Sequence, residues 1–244
     1  MKLTDDTDFS KLATDELQAM QEAGAFVREC YRILARTDDN IVGELLKGEE
    51  NFYEWNHYPD GDVYDQQTHS QYYYHAHPAD ERPGEHGHFH TFMRPDGMPP
   101  DVRPAPVADF EAPEDPDDAL SHIIAISMDR KGFPIKLFTT NRWVTGEVWY
   151  TAGDVCRLLH LFDIDHAQPS WPVNLWVTNM LVLFRPQIKI LIHARDRAVA
   201  QWAQSHPDEN VYEDRALELV TEMVVDVDAQ LVAVEQALAE RSQD

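Results

Sequence analysis

Residues 71–93, QYYYHAHPADERPGEHGHFHTFM, hold five histidines and three acidic side chains in twenty-three positions, a density of potential metal ligands found nowhere else in the chain. His75 and His77 stand two apart before a Pro78-to-Glu85 connection, and His86, His88 and His90 stand two apart after it. Side chains two apart on a strand share a face. If the flanks pair as an antiparallel hairpin, His77 faces His86 and His75 faces His88, giving a two-column ladder of imidazoles. Neutral imidazole is the commonest protein ligand for zinc and suits iron, copper and nickel, so His75, His77, His88 and His90 are the expected ligands of a divalent transition metal, zinc or iron. Three protein ligands and an open position make a catalytic site; Glu81 or Glu85 then serves as fourth ligand, as a carboxylate orienting a histidine, or as general base. The plainer alternative is a polar sheet face, or buried histidines bonded to tyrosines. Arg94, Asn141 and Arg142 are candidate contacts for an anionic substrate, or ordinary surface partners of the acidic segment DFEAPEDPDD.

Two short motifs resemble known families. HAHPADE, 75–81, is similar to the HxHxxxE part of the first cupin motif, which implies an iron, manganese or zinc site in a β-barrel. No second cupin motif follows and the chain ends in long helices, so the ligand logic is kept without the barrel. HGHFHTF, 86–92, resembles the HxHxH signature of histidine-triad nucleotide hydrolases, which implies a nucleophile at the middle position, His88. A broader resemblance, from about residue 25 to 200, is carried by YYYHAHPADERPGEHGHFHTFMRP, SMDRKGFPIKLFTTNRWVTGE, SWPVN and LFRPQI. It points to an uncharacterised bacterial family of unknown function and implies one continuous unit with no named activity.

The elements that must position these residues follow from periodicity. Apolar residues at helical spacing predict a helix over 15–36, capped by Thr14, and a shorter one over 41–47. Alternation predicts a strand over 51–58, then a turn at Pro59-Asp60-Gly61-Asp62. Seven of the fifteen prolines fall in 94–118 with the acidic cluster, which forces a long loop, either a surface excursion or a lid carrying Phe110. Apolar runs at 122–128 and 135–140 with Gly132 between them read as a hairpin. Helices are expected over 152–162, with Thr151 and Asp154 as a capping pair, over 173–204 with a kink at Arg185-Pro186, and over 208–242. The fold class is therefore α+β: an antiparallel sheet in 51–150 covered by an N-terminal helix and a C-terminal helical pair, forming a single domain over 1–244.

Forty-four acidic against twenty basic residues give a formal charge of -24, which disfavours nucleic acid and anionic membrane surfaces and leaves a small-molecule substrate or ligand as the expected partner. Cys30 and Cys156 lack CxxC spacing, the start is acidic, and no apolar run approaches the roughly 18 residues of a membrane span, all of which fit a reducing cytoplasm. The function expected is a metal-dependent hydrolase or oxygenase acting on a small molecule. A non-catalytic metal or ligand sensor and a nucleotide hydrolase working through His88 are the alternatives.

Overall fold

Alternation and turn chemistry in the first two thirds of the chain build most of the sheet, and the last third supplies its cover. The computed structural model describes residues 1–107 and 112–242. In chain order the elements are β1 (Lys2–Leu3), α1 (Thr14–Leu34), α2 (Ile41–Leu45), β2 (Tyr58–Tyr64), β3 (Ser70–His75), β4 (Gly87–Met93), β5 (Ser121–Met128) and β6 (Pro134–Thr140). There follow α3 (Arg142–Thr145), α4 (Ala152–Leu159), α5 (Trp171–Leu183), α6 (Arg185–Ser205), β7 (Leu219–Val224) and α7 (Val227–Arg241). This is an α+β fold whose seven strands run in the order β1-β7-β6-β5-β4-β3-β2. Every pair is antiparallel except β1 with β7.

The two faces of the sheet differ. Tyr72, Tyr74, Phe89, Met93, Ile124, Ile126 and Leu137 join one apolar core with Leu17 and Met20 of α1, Val155 of α4, Trp176 of α5 and Ile188 of α6. The fit is specific as well as apolar: Tyr72 Oη donates to Asn174 Oδ1 at 2.6 Å, and Thr221 Oγ1 donates to the Leu191 carbonyl at 3.1 Å. Tyr73, Phe92 and Phe138 point the other way; they are equally buried but lie outside that core, among histidines. With both faces dry, β4 and β5 are buried at every residue and lose the inside-outside alternation of a half-solvated sheet.

Several expectations change. The stretch 208–242 is not one helix: β7 lies within it, paired with β6 on one side and β1 on the other. Residues 51–57 are not a strand, and the expected turn at Pro59 to Asp62 is a bulge inside β2, with Gly61 at φ 81° and Asp62 at φ 60°. Helix α1 begins at Thr14, the residue expected to cap it. Its N-cap is Ala13, and Thr14 Oγ1 accepts from Arg241 Nη1 at 3.0 Å instead. The Thr151 cap holds, bonding the Asp154 N–H, and the chain bends by 72° between α5 and α6 at the expected Arg185-Pro186 break. Among the described residues that bent pair is the one stretch that matches a membrane span by length and composition. Among the described residues no single helix is long and apolar enough to cross one.

Candidate metal centre

Pairing of β3 with β4 sets His75 directly opposite His88 and Tyr73 opposite His90, as the hairpin requires. On the other side of β4, His88 faces Ser127 and His90 faces Ala125 of β5. All these side chains stand on the face away from the helices. There His75, His88 and His90 each present a ring nitrogen such that the three ligand atoms lie within 4.8 Å of one another, a group that could hold a metal ion.

Hydrogen bonds fix how the rings present themselves. Glu85 is buried and accepts from His88 Nδ1 at 2.7 Å through Oε1, while its Oε2 accepts from Ser127 Oγ. A carboxylate on Nδ1 places the proton there and leaves His88 Nε2 with its lone pair. His88 Nε2 lies 2.7 Å from His75 Nε2, so His75 carries the proton between them in the metal-free protein. His90 Nδ1 lies 3.0 Å from His122 Nε2, and His90 Nε2 is buried with no hydrogen-bond partner among the described residues. An orphaned imidazole nitrogen on a residue 1% exposed is costly unless something else occupies its lone pair.

Electrostatics keep the cluster neutral. Burial pushes His75 down to about 2, helped by His88, His77, His57 and the Arg82 cation. Burial also holds His88 and His90 well below the usual histidine range, and His122 falls to about 3 with burial as the main cause. Neutral imidazole is the form that binds metal, and His75 meets that form once its proton moves from Nε2 to Nδ1. A tetrahedral zinc with Zn–N near 2.0–2.1 Å sets ligand nitrogens about 3.3–3.4 Å apart, so the His75 and His88 rings need open by only about 0.6 Å to admit one. The donor set therefore fits a divalent transition metal.

The other expected site residues are placed as follows. His77 lies past the end of β3, its ring 5.3 Å from that of His88, with Nδ1 on Glu81 at 3.2 Å; it stands beside the group of three rather than within it. Glu81 is exposed and bonded to His77, whereas both oxygens of Glu85 are already engaged. His86, expected opposite His77 in the ladder, instead bonds Tyr74 Oη through Nδ1 at 2.6 Å on the apolar face. Gly87 permits this, since a Cβ there would come within 2.6 Å of the Tyr74 hydroxyl. Arg94 is tied to Gln71 Oε1, Asp117 and Asp118. Asn141 is buried and spent on the Val211 carbonyl and the Arg142 N–H, and Arg142 pairs with Glu213. Phe110 lies outside the described residues.

Residues 51–57 cover the histidines. Trp55, at φ 72°, donates its backbone N–H to the Ala76 carbonyl at 2.9 Å and sets its ring 4.2 Å from that of His77. His57 stacks on Tyr73 at 3.6 Å and bonds Asp62 through Nδ1 at 2.9 Å. On one side of this segment lies a cleft of about 1200 Å³ lined by Trp55, His57 and Arg94; on the other lies one of about 590 Å³ lined by His77, Glu85 and His86.

Residues 21–225 match the family described as Domain of unknown function (DUF6969). The chain belongs to that family. No curated protein and no solved structure matches it. The DUF6969 segment spans the centre and its cover, from His57 to Ser127.

Three contributors, His122, Ser127 and Arg82, escape sequence reasoning. His122 and Ser127 are five apart on β5 and belong on opposite faces of a regular strand; a register shift after Thr91 brings both to the histidine side. Arg82 and His57 arrive from loops whose path only the tertiary structure sets. For His57 a signal existed in its neighbourhood of Trp and Tyr before the histidine hairpin.

Proposed function

We propose that this DUF6969 chain is a metal-dependent enzyme that holds one divalent transition metal, zinc or iron, on His75, His88 and His90. The observation that carries the reading is the buried, unpartnered His90 Nε2 beside the facing nitrogens of His75 and His88. Glu85 and His122 orient the two buried ligands, as the partners of metal-bound imidazoles do elsewhere. Three neutral ligands leave a position open, and a bound metal there supplies Lewis acidity towards water or a substrate oxygen. Around that position the chain's own residues favour hydrolysis of a small molecule: His57, held by Asp62 at the border of the larger cleft, can pass protons between solvent and the centre.

Equilibrium dialysis of protein purified without a histidine tag, at pH 7.5 with zinc or ferrous iron, tests the reading. One equivalent per chain is expected in the wild type and almost none in a His88→Ala, His90→Ala variant. Equal metal content in both would sink it. Hydrolysis of activated esters by zinc-loaded wild type, lost in His57→Ala with metal content unchanged, separates an enzyme from a non-catalytic binding protein.

A further inference from the structure

Arg82 lies in the loop between β3 and β4, and its side chain is only 9% exposed. Its guanidinium sits 5.2 Å above the Phe138 ring, and Phe138 in turn meets His88 edge-on at 5.1 Å and His90 at 6.1 Å. One arm of the fork is used: Nη2 donates to Glu218 Oε1 at 2.6 Å. Nη1 is buried and has no partner among the described residues. A buried cationic donor left without an acceptor costs more than a neutral one, and Glu218 engages only the Nη2 arm.

We infer that Arg82 Nη1 is a substrate contact, and that the ligand of the three-histidine centre is a small molecule bearing a carboxylate that this arm receives. The inference rests on the metal reading for what lies beside the carboxylate, but the orphaned donor exists without it. A carboxylate suits the site better than a phosphate because a single guanidinium arm is what is offered. The other nearby cation, Lys136, is paired with Glu222 at 3.1 Å, and Arg94 and Arg142 are held by their own carboxylates. The chain's charge of -24 does not forbid an anion here, since exposed charges are screened over about 8 Å at physiological salt and Arg82 is buried.

Calorimetric titration of the full chain with glycolate, ethylene glycol and inorganic phosphate, in zinc-loaded and metal-free forms, tests the inference. Glycolate should bind and ethylene glycol should not; Arg82→Gln should weaken glycolate at least tenfold while zinc content stays that of the wild type. Glu218→Ala, which frees the second arm, should bind glycolate no less well. If Arg82→Gln does not fold, Arg82→Lys, which keeps the charge but not the fork, takes its place and should show a loss in the same direction. Glycolate binding unchanged in a zinc-replete Arg82 variant overturns the inference and leaves the metal centre standing. Phosphate binding tighter than glycolate with the same dependence on Arg82 overturns the carboxylate assignment. Should the wild type take up no zinc, the metal reading falls, and glycolate binding by the metal-free protein still decides: dependence on Arg82 supports the inference, and its absence refutes it.

Discussion

Phe89 and His90 are neighbours on β4, both essentially fully buried, and they point to opposite faces of one sheet. Phe89 meets Tyr72, Tyr74 and Trp176, every contact apolar or aromatic. His90 meets Tyr73, His88 and His122 and keeps one nitrogen without a partner among the described residues. Equal burial thus serves two ends. Around Phe89 the helix-covered face is filled by aromatic and apolar side chains, whereas beside His90 three ring nitrogens converge within 4.8 Å, and that convergence locates the chemistry.

The largest expected contrast is in acid. His75 at about 2 and His122 at about 3 are depressed from an unfolded value near 6.5, and His88 and His90 are depressed with them. Depressed groups stabilise the fold above their unfolded value and lose that contribution as pH falls, because the unfolded chain takes up protons the folded one refuses. Each such histidine removes about 1.4 kcal/mol per pH unit below roughly 6.5, so metal-free protein should unfold cooperatively by about pH 5. Bound zinc should leave with the fold rather than before it. Circular dichroism and zinc release followed together down a pH series check this; a metal-free chain still fully stable at pH 4 would mean the histidine face is wet.

Next in size, Phe89→Ala should cost about 3–5 kcal/mol in urea unfolding, while His90→Ala should cost less and abolish metal uptake. If His90→Ala proves the more destabilising in metal-free protein, the two faces are not divided as argued. Glu85→Gln should sharpen the division by lowering metal affinity about 10–100-fold, since the amide no longer fixes the proton on His88 Nδ1. The smallest effect belongs to His77→Ala, which should change metal affinity by less than about tenfold, because its ring stands outside the group of three. A loss in that variant as large as in His88→Ala would make His77 a fourth ligand.

Much of the centre was legible in the sequence because the β3–β4 hairpin is local: alternation sets face parity, and three of the four expected ligands come together. What closes the site is not local. His122 needs a bulge to reach it, Ser127 and Phe138 need the neighbours of β4 to be known, and Arg82 needs the course of a loop. The misreading of 208–242 has a different cause. Leu217, Val220 and Val224 recur at spacings a helix also satisfies, and the stronger signal was the β-branched content of Val220-Thr221-Glu222-Met223-Val224-Val225. Thr151 and Pro186 were read correctly because caps and proline breaks depend on few neighbours.

The place of β7 between β1 and β6 also sets an order in time. Strands β2 to β6 can pair as they leave the ribosome, but the partner that closes the open edge of β6 follows roughly 80 residues later, on the order of 4–16 s at ordinary synthesis rates. Through that interval β6 is an edge strand, and the apolar face waits for α5 and α6 to be made. The ligands His75, His88 and His90, with Glu85, His122 and Ser127, all lie upstream of that gap. A nascent chain should therefore be able to capture its metal before its own sheet is finished, and zinc retained by ribosome-bound chains arrested between β6 and β7 is the measure of that order.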